Sequence, residues 1–181
     1  MRKTKYFTRT KCLNREWTSE EWSEFCKKSW EDPEAYRVAT EYNGFEYNYS
    51  DICLNPEVAF EWRGKKGCLV KITLSKSPDG WSFGKDTQLG TYGSCHGCRY
   101  VERGDRYFYE TKDEAYEAAI HSICHDRDYI KRNNCRVHED EDEDREYATY
   151  TKAISSELQK ALRVIDQLEE STKTPSLFGY F

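Results

Sequence analysis

The sequence predicts an α+β fold: a largely antiparallel sheet of short aromatic-rich strands, packed by helices and followed by a long C-terminal helix. Three observations carry this prediction. Alternating apolar and polar residues recur in short runs separated by turn dipeptides, as hairpin strands require. Two capping boxes, Thr18 with Glu21 and Thr111 with Glu114, each precede apolar residues at helical spacing. After residue 146, apolar residues repeat in steps of four and three over about three heptads. Short strands followed by packing helices are the order of an α+β domain.

Residues 1–16 read as an arm, stranded or extended around Tyr6-Phe7. Thr18 opens a helix over about 19–30, with Trp22, Phe25, Cys26 and Trp30 on one aromatic face. Asp32-Pro33 ends that helix or begins another. Tyr36, Val38, Thr40 and Tyr42 alternate, as do Phe45, Tyr47 and Tyr49, and Asn43-Gly44 between them is a strong hairpin signal. The competing reading is a helix begun by Asp32-Pro33-Glu34. Residues 50–67 read as a connection holding one short strand. Strands over about 68–75 and 81–86 flank the turn Ser77-Pro-Asp-Gly80. Residues 87–97, with Gly90, Gly93 and Gly97, read as a loop, and Tyr100-Val101 with Tyr107-Phe108-Tyr109 as a hairpin around Gly104-Asp105. A helix over about 112–132 turns Ala115, Ala119 (or Tyr116), Ile120 and Ile123 toward the sheet.

The C-terminal seam is Tyr147, Thr151, Ile154, Leu158, Ala161, Ile165 and Leu168. It fits a long helix laid on its own domain and equally a homodimer through residues 147–168. The resulting layout is an α+β domain over 1–138 with a basic arm, an acidic linker over 139–146, an amphipathic helix over 147–170 and a tail over 171–181.

The 181 residues are 37% hydrophobic and 34% charged, which makes the aliphatic core modest. Aromatic residues at 15%, including 14 Tyr and 5 Trp, bury area instead and set the chain apart from disordered sequences. The net charge of −5 is unevenly spread. Arg2, Lys3, Lys5, Arg9, Lys11 and Arg15 crowd residues 1–15 without an acid, a surface for direct nucleic-acid contact. Glu139, Asp140, Glu141, Asp142, Glu143 and Asp144 run consecutively, as a solvated linker or a nucleic-acid mimic. The acidic balance argues against a dedicated nucleic-acid binder. No stretch approaches the ~20 apolar residues of a membrane span, and no apolar region follows the basic N-terminal residues as in a secretory signal. The expected compartment is the cytoplasm, with the 8 Cys reduced.

Cys95 and Cys98 have the spacing by which one loop presents two thiolates to a tetrahedral ion. His121 and His125 stand four apart on the following helix, with Cys124 three from His121. These five residues are the candidate ligands of a structural zinc, with Cys135 and His138 as spares; the alternative is that the cysteines are small buried hydrophobes, as read for Cys12, Cys26, Cys53 and Cys68. A Cys–His nucleophilic pair lacks any mark of an oxyanion hole, and residues 90–97 lack the GxxxxGK[ST] of a phosphate-binding loop. No residue is assigned a catalytic role.

The chain closes with Thr174-Pro-Ser-Leu-Phe-Gly-Tyr-Phe181. This tail resembles the motif by which replication and repair proteins bind the ring-shaped DNA sliding clamp. Leu177 matches its aliphatic position and Tyr180 and Phe181 its aromatic pair, while Thr174 stands where the family has Gln. Ser176-Leu177-Phe178 also resembles the end of the shorter bacterial clamp motif. The body resembles, more loosely, small accessory proteins of phages and mobile elements. The resemblance implies an adaptor that works by protein–protein contacts near DNA metabolism, with Leu177, Phe178, Tyr180 and Phe181 as partner anchors. The alternatives are a phage-type acidic inhibitor, whose residues 139–144 occupy a nucleic-acid-binding target, and a nucleic-acid-binding module.

A peptide of residues 171–181 is expected to bind a sliding clamp weakly. Truncating Leu177, Tyr180 or Phe181 to Ala should cost about 1–3 kcal/mol each, and Thr174→Gln should tighten binding. Titration calorimetry reads both; a neutral Thr174→Gln contradicts the resemblance.

Overall fold

The computed structural model describes residues 5–7, 16–90, 92–133 and 145–173, with side chains for 17–90, 92–132 and 156–173. In chain order the elements are β1 (Lys5–Phe7), β2 (Glu16–Thr18), α1 (Ser19–Glu31), β3 (Thr40–Tyr42), β4 (Phe45–Tyr47), β5 (Glu57–Arg63), β6 (Leu69–Lys76), β7 (Trp81–Leu89), β8 (Tyr92–His96), α2 (Lys112–Asn133) and α3 (Arg145–Lys173). β1 pairs with β2, β3 with β4, and the other four form a sheet in the order β5-β6-β7-β8. Tight turns join successive strands of that sheet, which makes them antiparallel. The fold is α+β. Among the described residues no helix is long and apolar enough to cross a membrane.

The chain divides into two compact units, one of Met1–Glu57, Leu74–Phe83 and Gly97–Ala115, the other of Val58–Thr73, Gly84–His96 and Tyr116–Phe181. In the first unit, Thr18 and Glu21 form the expected capping box: the Glu21 N–H donates to Thr18 Oγ1 at 3.2 Å and the Thr18 N–H to Glu21 Oε2 at 2.8 Å. The helix they open, α1, buries no residue fully. It is held through rings. Phe25 lies 5.2 Å from Trp17, 5.6 Å from Trp22, 5.4 Å from Tyr36 and 6.0 Å from Tyr49, and pairs of this kind contribute about 0.5–1.5 kcal/mol each beyond area burial. Trp30, expected on the same face, is instead 83% exposed.

Three fully or nearly buried serines stitch the rest of this unit. Ser77 Oγ donates to the Val101 carbonyl at 2.8 Å and accepts from the Val101 N–H at 3.1 Å. Ser82 Oγ does the same with Arg99, at 2.6 Å and 3.0 Å, and lies 3.1 Å from Ser75 Oγ. The expected hairpin of Tyr100-Val101 with Tyr107–Tyr109 is therefore corrected. Segment 99–101 takes its hydrogen bonds from serine hydroxyls and from Asp51, and Tyr109 bridges Trp81 instead. Gly80 closes the Ser77 turn where a Cβ would meet Phe108 at 2.4 Å and the Tyr109 carbonyl oxygen at 2.6 Å, so no larger residue fits unmoved.

The hairpin at Asn43-Gly44 forms, with both residues at positive φ, but it is shorter than the alternation suggested. Asp32 Oδ1 accepts the Ala35 N–H at 3.2 Å, and residues 33–36 turn rather than extend. The predicted loop over 87–97 is also corrected. β7 runs on to Leu89, Gly90 turns at φ 71°, and β8 returns in the register Lys85↔His96 to Leu89↔Tyr92. Thr87 and Leu89 are buried while Gln88 is exposed, the period-2 pattern of a strand that the glycines had obscured.

In the second unit α2 buries Ala119, Ile120 and Ile123 as expected, and α3 buries Ala161, Ile165 and Leu168 within a single chain. Side chains of the first half of the seam, through Ile154, lie outside the described residues. Arg127 ties α2 to α3: Nη1 donates to Asp166 Oδ1 at 2.8 Å and to Glu169 Oε2 at 2.6 Å, and Nε to Asp128 Oδ1 at 2.9 Å. Glu157 Oε2 receives the Lys65 N–H at 2.9 Å, anchoring the β5–β6 turn to α3.

Hydrogen bonds from Arg127 and then Lys173 hold Glu169 down to about 2 from an ordinary 4.5. The unfolded chain therefore binds more protons between those values. The stabilisation is present above about pH 4.5 and is lost as pH falls toward 2. Glu169→Gln should lower the urea midpoint at pH 7 and flatten the acid limb of stability across that window; an unaltered pH profile contradicts the clamp.

Candidate functional site

Two places in the described chain concentrate chemistry. The first is a surface groove in the first unit, about 330 Å³, lined by Ser29, Trp30, Pro33, Tyr36, Arg37, Asn48, Tyr49 and Leu54. Asp32-Pro33 ends α1 and turns the chain so that Trp30, Pro33 and Tyr36 follow one another along one wall. The segment after β4 supplies the rest of the lining. Asn48 Oδ1 accepts the N–H groups of Ser50 at 2.9 Å and Ile52 at 3.0 Å, which folds residues 48–52 into a compact turn and sets Tyr49 and Leu54 beside it. Phe25 meets Tyr36 and Tyr49 edge-on, at 76° and 77°, so one ring outside the lining contacts a lining residue from each segment. Arg37 is exposed and supplies a cation to the groove. The volume suits a few side chains of an extended segment.

The second place is a buried polar cluster in the second unit. Lys85 Nζ donates to Asp126 Oδ2 at 2.6 Å and to the Ser122 carbonyl at 3.2 Å, with side chains 7% and 8% exposed for Lys85 and Asp126. Thr87 Oγ1 donates to the same carboxylate oxygen at 2.8 Å and Tyr92 OH to Oδ1 at 2.9 Å. Burial, then the bond to Asp126, pushes the Tyr92 phenol up. A charge pair taken this far from water is tolerable only when its remaining valences are met, and here both carboxylate oxygens are occupied. Its work is to hold α2 against β7 and β8. Sequence reasoning missed it, although a signal existed: Asp126 stands seven after Ala119, three after Ile123 and four before Ile130, an acid on the apolar stripe of a helix.

The five metal-ligand candidates are not brought together. Cys95 is exposed on β8 opposite Asp86, whereas Cys98 is fully buried with Tyr47 and Cys53. His121 and His125 face outward on α2, and Cys124 faces inward, where burial pushes its thiol up. Among the described residues no three His, Cys, Asp or Glu side chains form a group able to hold a metal ion. Cys135, His138, the acidic run 139–144 and the tail 174–181, including Leu177, Phe178, Tyr180 and Phe181, lie outside the described residues. Of the basic arm, Lys5–Phe7 is described and pairs antiparallel with β2. No protein family matches the chain, and no curated protein or solved structure gives a significant match.

Lys85→Ala should cost about 3–5 kcal/mol, because it strands the Asp126 carboxylate in the core. The paired change Lys85→Met with Asp126→Leu should cost less than the single one, since it removes the charge as well. Urea denaturation decides: a double variant weaker than Lys85→Ala contradicts the assignment.

Proposed function

We propose that the protein is a non-enzymatic cytoplasmic adaptor that holds peptide segments of partner proteins. The observation that carries this reading is the aromatic groove between α1 and the 48–54 segment, with Trp30 left 83% exposed at its lip. A tryptophan in water is an unused anchor, and aromatic side chains supply most of the energy at protein interfaces. Rings and a proline in series along one wall suit an extended, polyproline-like segment, whose apolar side chains enter while its backbone stays solvated. Arg37 adds a preference for a carboxylate on that segment. The clamp-like tail is a second arm, joining whatever the groove holds to DNA metabolism through Leu177, Tyr180 and Phe181.

The test is a titration of the full chain with synthetic proline-containing peptides that carry one Glu, followed by tryptophan fluorescence. Trp30→Ala and Tyr49→Ala should each weaken binding at least about tenfold, as a single hot-spot ring does. Trp30→Ala should leave the melting temperature unchanged, because the side chain is already in water. Arg37→Glu should penalise the Glu peptide and spare its Gln analogue. Absence of saturable binding across the set contradicts the reading.

A further inference from the structure

Cys53 and Cys98 face each other across a short antiparallel contact in the first unit. Ile52 and Arg99 form its bridge; the Cys53 N–H donates to the Cys98 carbonyl at 3.0 Å and the Tyr100 N–H to the Asp51 carbonyl at 2.7 Å. This register sets Cys53 directly opposite Cys98 with both side chains on one face, and both belong to the buried cluster around Tyr47. Facing residues that share a ladder hydrogen bond sit about 5.5 Å apart at Cα, inside the span of about 4.4–6.8 Å that a disulfide bridges. The two segments also run close: a Cβ on Gly97 would lie 3.2 Å from Ile52 Cγ2. Both cysteines are thiols here.

We propose that Cys53 and Cys98 are a redox modification site, closed to a cross-strand disulfide by a low-molecular-weight disulfide such as oxidised glutathione. The thiolate of Cys53, the more exposed of the two, attacks one sulfur of the small disulfide. That S–S bond breaks, one small thiol leaves, and a mixed disulfide forms on Cys53. The Cys98 thiolate then attacks the Cys53 sulfur and expels the second small thiol. Two protein thiols lose two protons and two electrons, and the small disulfide is reduced to two thiols. Burial raises the Cys53 thiol above its ordinary range, so closure is slow at neutral pH and accelerates as pH rises. In a reducing compartment the thiol form is the resting state and the bond marks oxidising conditions. The product pins residue 53, next to Leu54 and one turn from Tyr49, and so fixes one wall of the groove. The bond stands on the register alone, whether or not the groove takes a peptide.

The test treats the full chain with glutathione disulfide, natively and during refolding from urea, then alkylates it and maps linkages by mass spectrometry. The expected product has lost two hydrogens, contains a Cys53–Cys98 cross-linked peptide, melts on the order of 10 °C higher and reverts with dithiothreitol. Amide exchange across 48–54 should slow. Cys53→Ala and Cys98→Ala should each abolish the linkage, the remaining cysteine being recovered as thiol or glutathione adduct. Linkage of either cysteine to another partner, or recovery of both as thiols after oxidative refolding, overturns the proposal.

Discussion

A lysine and an aspartate taken out of water together set the terms for the second unit. Lys85 and Asp126 attract one another strongly at 2.6 Å in a poorly solvated place, but the attraction offsets desolvation only if no valence is left open. Thr87 and Tyr92 donate to the carboxylate and the Ser122 carbonyl accepts from the ammonium, so the pair's hydrogen bonds tie β7 and β8 to α2. The next residue, Arg127, points about 100° further round the helix and grips Asp166 and Glu169 on α3. Two consecutive side chains of α2 thus secure the sheet on one side and the C-terminal helix on the other.

The first unit meets the same shortage of aliphatic residues differently. Ser77 and Ser82 each act as donor and acceptor to one residue of segment 99–101, replacing a strand partner with two hydroxyls. Ser75 completes the set by bonding to Ser82. Small side chains let the backbones approach closely enough for this, and Gly80 is needed at the turn for the same reason. Phe25 then does for α1 what a leucine stripe would do elsewhere, since it meets four rings without being fully buried itself.

What was legible in the sequence follows from these two solutions. Both capping boxes, the Asn43-Gly44 hairpin, the apolar face of α2 and the later seam of α3 rest on local chemistry or on apolar period, and each formed. β8 was hidden because Gly90, Gly93 and Gly97 mimic a loop, while the residues that make it a strand are paired rather than apolar. Segment 99–109 carries the aromatic strand propensity of a hairpin, yet its two ends bond to Ser77, Ser82, Asp51 and Trp81, all distant in sequence, and not to each other. Of the candidate site, Cys98 was legible as a residue but not as the partner of Cys53, because a register between distant segments leaves no periodic trace. Asp126 was legible in principle, as the one acid set among Ala119, Ile123 and Ile130.

The groove shows how such a fold keeps an aromatic surface open without collapsing it. Its wall at 48–52 contains Asp51 at φ 64°, a left-handed conformation that Asp tolerates better than most residues. Asn48 stabilises the turn through two side-chain bonds and through backbone bonds with Asp51 and Ile52, and the Asp51 carbonyl receives the Tyr100 N–H. The backbone is thus committed before any ligand arrives. Phe25 meanwhile engages Tyr36 and Tyr49 edge-on, whereas Trp30 further along α1 stacks on no ring among the described residues. The wall beside Trp30 is thus held by its own hydrogen bonds and not by the indole. The indole is therefore exposed beside a backbone that is already committed, the arrangement that leaves an aromatic ring open to a partner.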